Sequence, residues 1–484
     1  MTANSPSKLL NGVLSLSSGS VVSLLLGLGT FTIAARFIPQ DEFGIYFILI
    51  TVVQLLENVS DLGLRLSAPK FLSAASSQEE RGRIVRTMIS TKLVATGLMV
   101  LAIIFMKPLI LFFFDRTLLE PIYIHLPFLY LAMSMDQFYG AIMQGYHLYT
   151  RMARLMVIFS VLQFLLIVIF LWPAHMGVHG YILAITISYS LSTLTRIVIT
   201  PGPLLPSLDL KQFKDIMAFS YPLAGNNILA FAYRRLDILI VGAIMSPEMV
   251  ALVGVARRLP ETLERLYTSF FSVYFPHVSE LLGQGKTEAA GEFINKTLRL
   301  MTVVTCLGTV FTLCFSEEII TLLFGGAYTR VAPLLDLFMV AFTVSQTSSV
   351  MGYAILARGR SIYTPVLSII ESTINIAGNF ALIPTMSFMG TGVARMISVS
   401  LSNIAHLYYS HRAGLAARSR EYTSIFGLLC AALAAKYLLP FDYLTVRLGL
   451  FGLTLAALLI LSPQTRGDLR VFAHSALAYR AAKG

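Results

Sequence analysis

Apolar stretches of about 20 to 28 residues recur along nearly the whole 484-residue chain, and each is long enough to cross about 30 Å of hydrocarbon. In lipid the backbone must satisfy its own polar groups, so a chain built this way folds as a bundle of spanning helices. Charged residues make up 13% of the chain and the AVILMFWYC set 56%, against about 25% charged residues in soluble domains. A stack of soluble domains is excluded. The pattern predicts an all-α integral membrane protein with about fourteen transmembrane helices, over 10–38, 44–72, 88–114, 121–147, 152–172, 177–200, 216–245, 248–277, 295–324, 331–357, 361–384, 390–411, 422–439 and 444–462. Short connectors such as "IPQDEFG", "PGPLLPSLDLKQ" and "LLGQGKTEAAG" punctuate the spans and leave no room for a separate soluble domain.

Lys and Arg set the orientation. With the N-terminus in the cytoplasm, 23 basic residues fall on inner segments, among them Lys70, Arg81, Lys92, Arg196, Lys286, Arg358, Arg412 and Lys483. Only six fall at outer ends: Arg36, Lys107, Arg116, Arg330, Lys436 and Arg447. This asymmetry predicts a multi-pass inner (plasma) membrane protein with both termini cytoplasmic. It also accounts for the net charge of +11 without a nucleic-acid partner. The run up to about residue 38 is too long for a signal-peptide core and reads as a retained first span. Cys306, Cys314 and Cys430 lack paired spacing, so neither a disulfide framework nor a zinc site is expected.

The chain also repeats. A gapless shift of 207 residues pairs Asp41 with Glu248, Glu57 with Glu264, Pro69 with Pro276, Lys92 with Arg299, Gly145 with Gly352, Tyr146 with Tyr353 and Arg151 with Arg358. The unit holds six spans, an even number, so both copies point the same way and a substrate path belongs between them. The expected organisation is an N-terminal lobe over 1–205, a C-terminal lobe over 206–412, and two extra helices with a cytoplasmic tail over 413–484.

Charges sit where hydrocarbon should be. The seventh span carries Arg234, Arg235 and Asp237, and the eighth Arg257, Arg258, Glu261, Glu264 and Arg265. A charge at the bilayer centre costs at least about 2.5–3.5 kcal/mol. Intrahelical pairing, Arg234 with Asp237 and Arg257 with Glu261, is one reading, since polar residues also glue membrane helices. Five Arg against three acids leaves cations over for an aqueous cavity. At the repeat shift these Arg positions meet Gly27, Leu28, Ile50 and Thr51, so the cluster belongs to the second lobe alone. A guanidinium fork suits phosphate oxygens, which points to an anionic headgroup.

Carboxylates are the candidates for ion or proton coupling. Glu57 and Asp61 lie one turn apart on the second span, with Arg65 able to neutralise one of them. Asp61 meets Thr268 at the repeat shift, which makes it the more lobe-specific acid. Glu371 follows, at the head of a stripe with Asn375 and Asn379. The chain has no GxxxxGK[ST] loop, no metal-ligand spacing and no Ser–His–Asp arrangement. It is therefore read as a transporter without cofactor, not an enzyme.

"LDILIVGAIMSPEMVALVGVARRL" resembles the seventh-to-eighth-helix signature of bacterial polysaccharide transporters, the oligosaccharide flippases of the multidrug/oligosaccharidyl-lipid/polysaccharide exporter superfamily. "AARFIPQDEFGIYFILITVVQLLENVSDLGL" resembles that family's first-to-second-helix stretch, and "FMGTGVARMISVSLSN" is similar to its twelfth-helix entrance. The resemblance implies two six-helix lobes around a central cavity, two extra helices and alternating access. It implies a cargo of undecaprenyl-diphosphate-linked oligosaccharide for exopolysaccharide, capsule or O-antigen (lipopolysaccharide) synthesis, with membrane lipid and other polysaccharide assembly proteins as partners. By position Arg234, Arg235, Arg257, Arg258 and Arg265 fall where cavity cations would stand. A peptidoglycan-precursor flippase and a multidrug/cation antiporter are the rivals within the superfamily. The first span lacks the acidic residue that drug exporters often keep. A membrane glycan polymerase or ligase would need a large outer loop, for which the pattern leaves no room.

Overall fold

The computed structural model describes residues 6–461 apart from 115, 203–204, 361–362, 416–418 and 439–442, and all regular structure among them is helical. The first half contains α1 (Pro6–Phe37), α2 (Gln40–Ser60), α3 (Leu64–Ala74), α4 (Gln78–Phe113), α5 (Arg116–Ile122), α6 (His125–Gly145), α7 (Tyr149–Leu171) and α8 (Gly177–Ile199). The second contains α9 (Leu210–Ile244), α10 (Pro247–Gly283), α11 (Thr287–Phe324), a 3₁₀ turn (Gly326–Val331), α12 (Ala332–Ala357), α13 (Tyr363–Met386), α14 (Met389–Arg412), α15 (Ser419–Leu438) and α16 (Leu444–Leu461). Eight helices among the described residues are long and apolar enough to cross a membrane. α9 and α10, at 35 and 37 residues, are long enough as well but are not among those eight, and they carry the Arg residues of the predicted seventh and eighth spans. The predicted spans are accounted for with α2 and α3 together as the second and α5 leading into α6 as the fourth. The cytoplasmic tail predicted after residue 462 lies outside the described residues.

Two predicted spans are not single helices, the fourth passing from α5 to α6 near its start and the second breaking inside its length. The second, expected to run unbroken over 44–72, stops at Ser60 and restarts at Leu64. Leu62 and Gly63 between them have φ of 50° and 77°. Asp61 stabilises the break by accepting the Arg65 N–H at 3.2 Å, a capping bond at the start of α3.

The repeat is visible in helix ends. α1 and α9 end at Phe37 and Ile244, α2 and α10 begin at Gln40 and Pro247, and α6 and α12 begin at His125 and Ala332, each pair 207 residues apart. Farther on the register slips: α13 starts 214 residues after α7, and α14 starts 212 after α8. Packing divides the chain into two compact units, Met1–Val255 and Ala256–Gly484. Within the first, α1 packs on α7, α6 on α3, α4 and α8, and α9 on α2, α3 and α4. Within the second, α13 packs on α14, α12 on α11 and α14, and α15 and α16 on α11. α9 thus opens the second repeat in sequence but packs with the first unit.

Each unit carries one apolar groove at the same repeat position. The first unit's, of about 370 Å³, is lined by Val59, Ser60, Ser90 and Val94 among others. The second unit's, of about 430 Å³, is lined by their repeat partners Leu266, Tyr267, Thr297 and Met301.

Candidate functional site

The cationic residues fall in both units, Arg234 and Arg235 on α9 in the first, Arg257, Arg258 and Arg265 on α10 in the second. Arg234 is exposed and Arg235 half-buried, while Asp237 is 9% exposed and its Oδ1 accepts the Ile238 N–H at 2.9 Å. Arg257 closes onto Glu261 one turn along at 3.3 Å and stands 6.0 Å from the Phe338 ring centre. The pairing foreseen from that spacing is therefore present. Arg258 is half-buried and Arg265 exposed.

Glu371 sits in a helix seam. It accepts the Ser402 hydroxyl at 2.8 Å across α13 and α14, where Asn375 also donates to Ser398 at 3.3 Å. Asn403 continues the polar contacts on the other flank of α14, donating to Thr347 at 3.2 Å and Ser348 at 2.8 Å on α12.

Glu57 and Asp61 are buried, at 3% and 1% exposure. Arg65 follows on α3 and donates through its guanidinium to Gln137 on α6. Lys92, counted in the sequence among the cytoplasmic-end bases, is 1% exposed on α4, with Asp61 and Glu57 in its electrostatic surroundings. Its setting inside "ISTKLVATGLMV", an otherwise apolar run, is the signal that could have found it.

Among the described residues ion pairs also join helices, Lys107 on α4 with Glu120 on α5 and Arg447 on α16 with Glu318 on α11 included. Asp136 on α6 meets Arg196 on α8 at 2.7 Å. Lys436 on α15 reaches Asp336 on α12 at 2.5 Å and Ser316 on α11 at 2.6 Å, which anchors the first extra helix. Among the described residues no group of three His, Cys, Asp or Glu could hold a metal ion.

A family model described as polysaccharide biosynthesis protein matches residues 9–282, and a second, MatE, matches residues 222–381. The chain is 19% identical over 384 residues to the probable low-salt glycan biosynthesis flippase Agl15 of Haloferax volcanii, covering 78% of each chain. Among solved structures it resembles the lipid II flippase MurJ in an inward closed conformation, with a TM-score of 0.73, 15% identity, and 94% and 99% of the two chains covered. It also resembles a MOP superfamily transporter from Pyrococcus furiosus with a binding pocket of reverse polarity, at a TM-score of 0.60, 12% identity, and 86% and 100% coverage.

Proposed function

Because the chain belongs to the polysaccharide biosynthesis protein family, we propose that it is a flippase for a lipid-linked oligosaccharide. The cargo on this reading is an undecaprenyl-diphosphate-linked glycan, moved to the outer leaflet of the plasma membrane for exopolysaccharide, capsule or O-antigen synthesis. The two repeat lobes, 1–205 and 206–412, alternate access, with 413–484 appended and both termini cytoplasmic. The observation that carries the reading is the set of Arg residues present in the second repeat only, with Arg234 exposed on a membrane-spanning helix. Cations in an apolar span need polar or anionic company, and a diphosphate headgroup offers these guanidinium groups an anion of bidentate geometry in addition to their contacts within the protein. The similarity to a glycan flippase points the same way. Transport is coupled through Asp61, with Glu57 next. Glu371, bonded across a seam, is the weakest of the three.

The test is leaflet transfer of a fluorescent undecaprenyl-diphosphate oligosaccharide in liposomes containing the purified protein. Arg234→Ala and Arg258→Ala should abolish most transfer, and the Lys versions should keep part of it. Near-parental transfer by both Ala variants at normal insertion removes the substrate role. Transfer of a peptidoglycan precursor instead, with lethality on depletion, would reassign the cargo.

A further inference from the structure

Five buried polar atoms in the first unit, from three neighbouring helices, have no hydrogen-bond partner among the described residues. They are Glu57 Oε1 on α2, Lys92 Nζ and Thr96 Oγ1 on α4, and Tyr130 OH and Ser134 Oγ on α6. Their side chains are at most 3% exposed. The spacings 92/96 and 130/134 put each pair on one helix face. Tyr130 lies near Ser60, Ser134 and Thr96 and feels the charge of Glu57, and Lys92 feels the charges of Asp61, Glu57 and Arg65 without direct contact, which makes one cluster. α5 and α9 also pack on α4 but place no charge against Lys92.

Buried polar groups in folded proteins are bonded in about 90% of cases or more. The Tyr130, Thr96 and Ser134 hydroxyls lie near enough to serve one another in part, but the Lys92 ammonium and Glu57 Oε1 have no such neighbour and call for an occupant. Its chemistry follows from theirs. The carboxylates of Glu57 and Asp61 are balanced by Arg65 and Lys92, so no further ion is required. The orphans comprise an ammonium with three donors, an accepting carboxylate oxygen and three hydroxyls that do both. Water meets both needs, with about three bonds per buried molecule.

We infer that α2, α4 and α6 enclose a hydrated compartment in which Lys92 exchanges its proton with Glu57 and Asp61, an inference that rests on the coupling role proposed for those two acids. Through water, an N–H bond of the Lys92 ammonium breaks and an O–H bond forms on a carboxylate, which leaves an amine and a carboxylic acid. The compartment is electroneutral before and after. A proton arriving alone would leave one buried charge uncompensated, which the interior disfavours strongly. Uptake at a carboxylate is therefore matched by release from Lys92.

The repeat shows that the type of base matters. Arg299 stands at the position of Lys92 and Glu264 at that of Glu57, whereas Thr268, Val303, Leu337 and Ala341 replace Asp61, Thr96, Tyr130 and Ser134. The second copy thus has a base that holds its proton and lacks most of the polar wall. A buried Lys can give its proton up, and an Arg does not.

Lys92→Arg separates exchange from simple charge pairing. The full-length protein in micelles, without cargo, is taken through a temperature jump, which shifts the balance between ammonium with carboxylate and amine with carboxylic acid. Infrared difference spectra read the carboxyl C=O band with time, and a soluble dye should show no net release of protons. The parent should show a carboxylic-acid band that disappears in the Glu57→Gln/Asp61→Asn protein. Lys92→Arg should slow exchange by about a hundredfold, the lower range for a positioned proton-transfer group, while its melting temperature stays near the parent's. Parental exchange in Lys92→Arg overturns the inference. Should that variant fail to fold, Tyr130→Phe takes its place, with slowed exchange expected and an unchanged rate equally fatal. No glycan enters the measurement, so its failure would leave the flippase reading standing, and a failed leaflet-transfer assay would leave this one standing.

Discussion

Asp136 and Arg196 show what a single charge does inside this chain. They meet at 2.7 Å between α6 and α8, each side chain 11% exposed, and the Ser192 hydroxyl also donates to the same carboxylate oxygen. Removing one member leaves the other charge buried without its partner, at a cost of about 3–5 kcal/mol. Asp136→Ala should lower the melting temperature of the purified protein sharply. Adding Arg196→Met to that variant should recover more than half of the loss, since a well-packed apolar pair often replaces an ion pair at little cost. No recovery in the double variant would show that the pair does more than balance charge. Arg196 was read from the sequence as a cytoplasmic-end base, and Asp136 falls within the predicted fourth span, 121–147. What spacing could not reveal is that they meet, because they lie 60 residues apart on different helices. The same holds for Lys436, which the charge pattern placed at an outer end and the fold turns onto Asp336. Pairs one turn apart, such as Arg257 and Glu261, were legible because helix geometry alone brings them together.

At the scale of elements, helix existence was legible and helix interruption was not. Hydropathy averaged over a window sees apolar content, and Asp61-Leu62-Gly63 does not lower it enough to divide 44–72. The break has its own local chemistry. Gly63 has φ of 77°, and a Cβ there would stand 2.3 Å from the Ser220 carbonyl oxygen of α9. Gly63→Ala therefore combines backbone strain of about 1–3 kcal/mol with a backbone clash that no rotamer relieves. It should reduce both folded yield and melting temperature. Gly97→Ala on α4 is the control, since a Cβ there meets nothing within 4 Å and Ala gains up to about 1 kcal/mol of helix propensity. Equal stability of the two variants would mean that α3 and α9 slide apart at no cost. A second close approach on the same helix deepens the point. A Cβ on Gly44 would lie 1.7 Å from the Pro247 carbonyl oxygen, so α2 and the start of α10 touch backbone to backbone. Small residues at such contacts are how membrane helices pack closely.

For the whole molecule, the doubled architecture rests on two independent registers. Three helix boundaries coincide at a shift of 207 residues, the ends of α1 and α9, the starts of α2 and α10 and the starts of α6 and α12, and the two apolar grooves sit at that same shift. Sequence identity between the halves is too low to carry this alone, because only positions under the same geometric demand keep their chemistry. Packing answers a different question from repetition, which is why α9 belongs to the second copy by register and to the first unit by contact. A parallel repeat has a consequence for topology: equivalent connectors must lie on the same face of the membrane. The first turns of α4 carry Arg81, Arg83 and Arg86, and Lys286 precedes α11, with Lys296 and Arg299 on the helix itself. The positive-inside rule predicts that both face the cytoplasm. Reporter fusions at Gln78 and Gln284, at nearly equivalent places in the two copies, should both behave as cytoplasmic. Opposite behaviour of the two would contradict an even number of spans between them, and with it the six-span unit. An outer location for both would keep the repeat but invert the orientation, placing the excess of basic residues outside against the rule that predicts it.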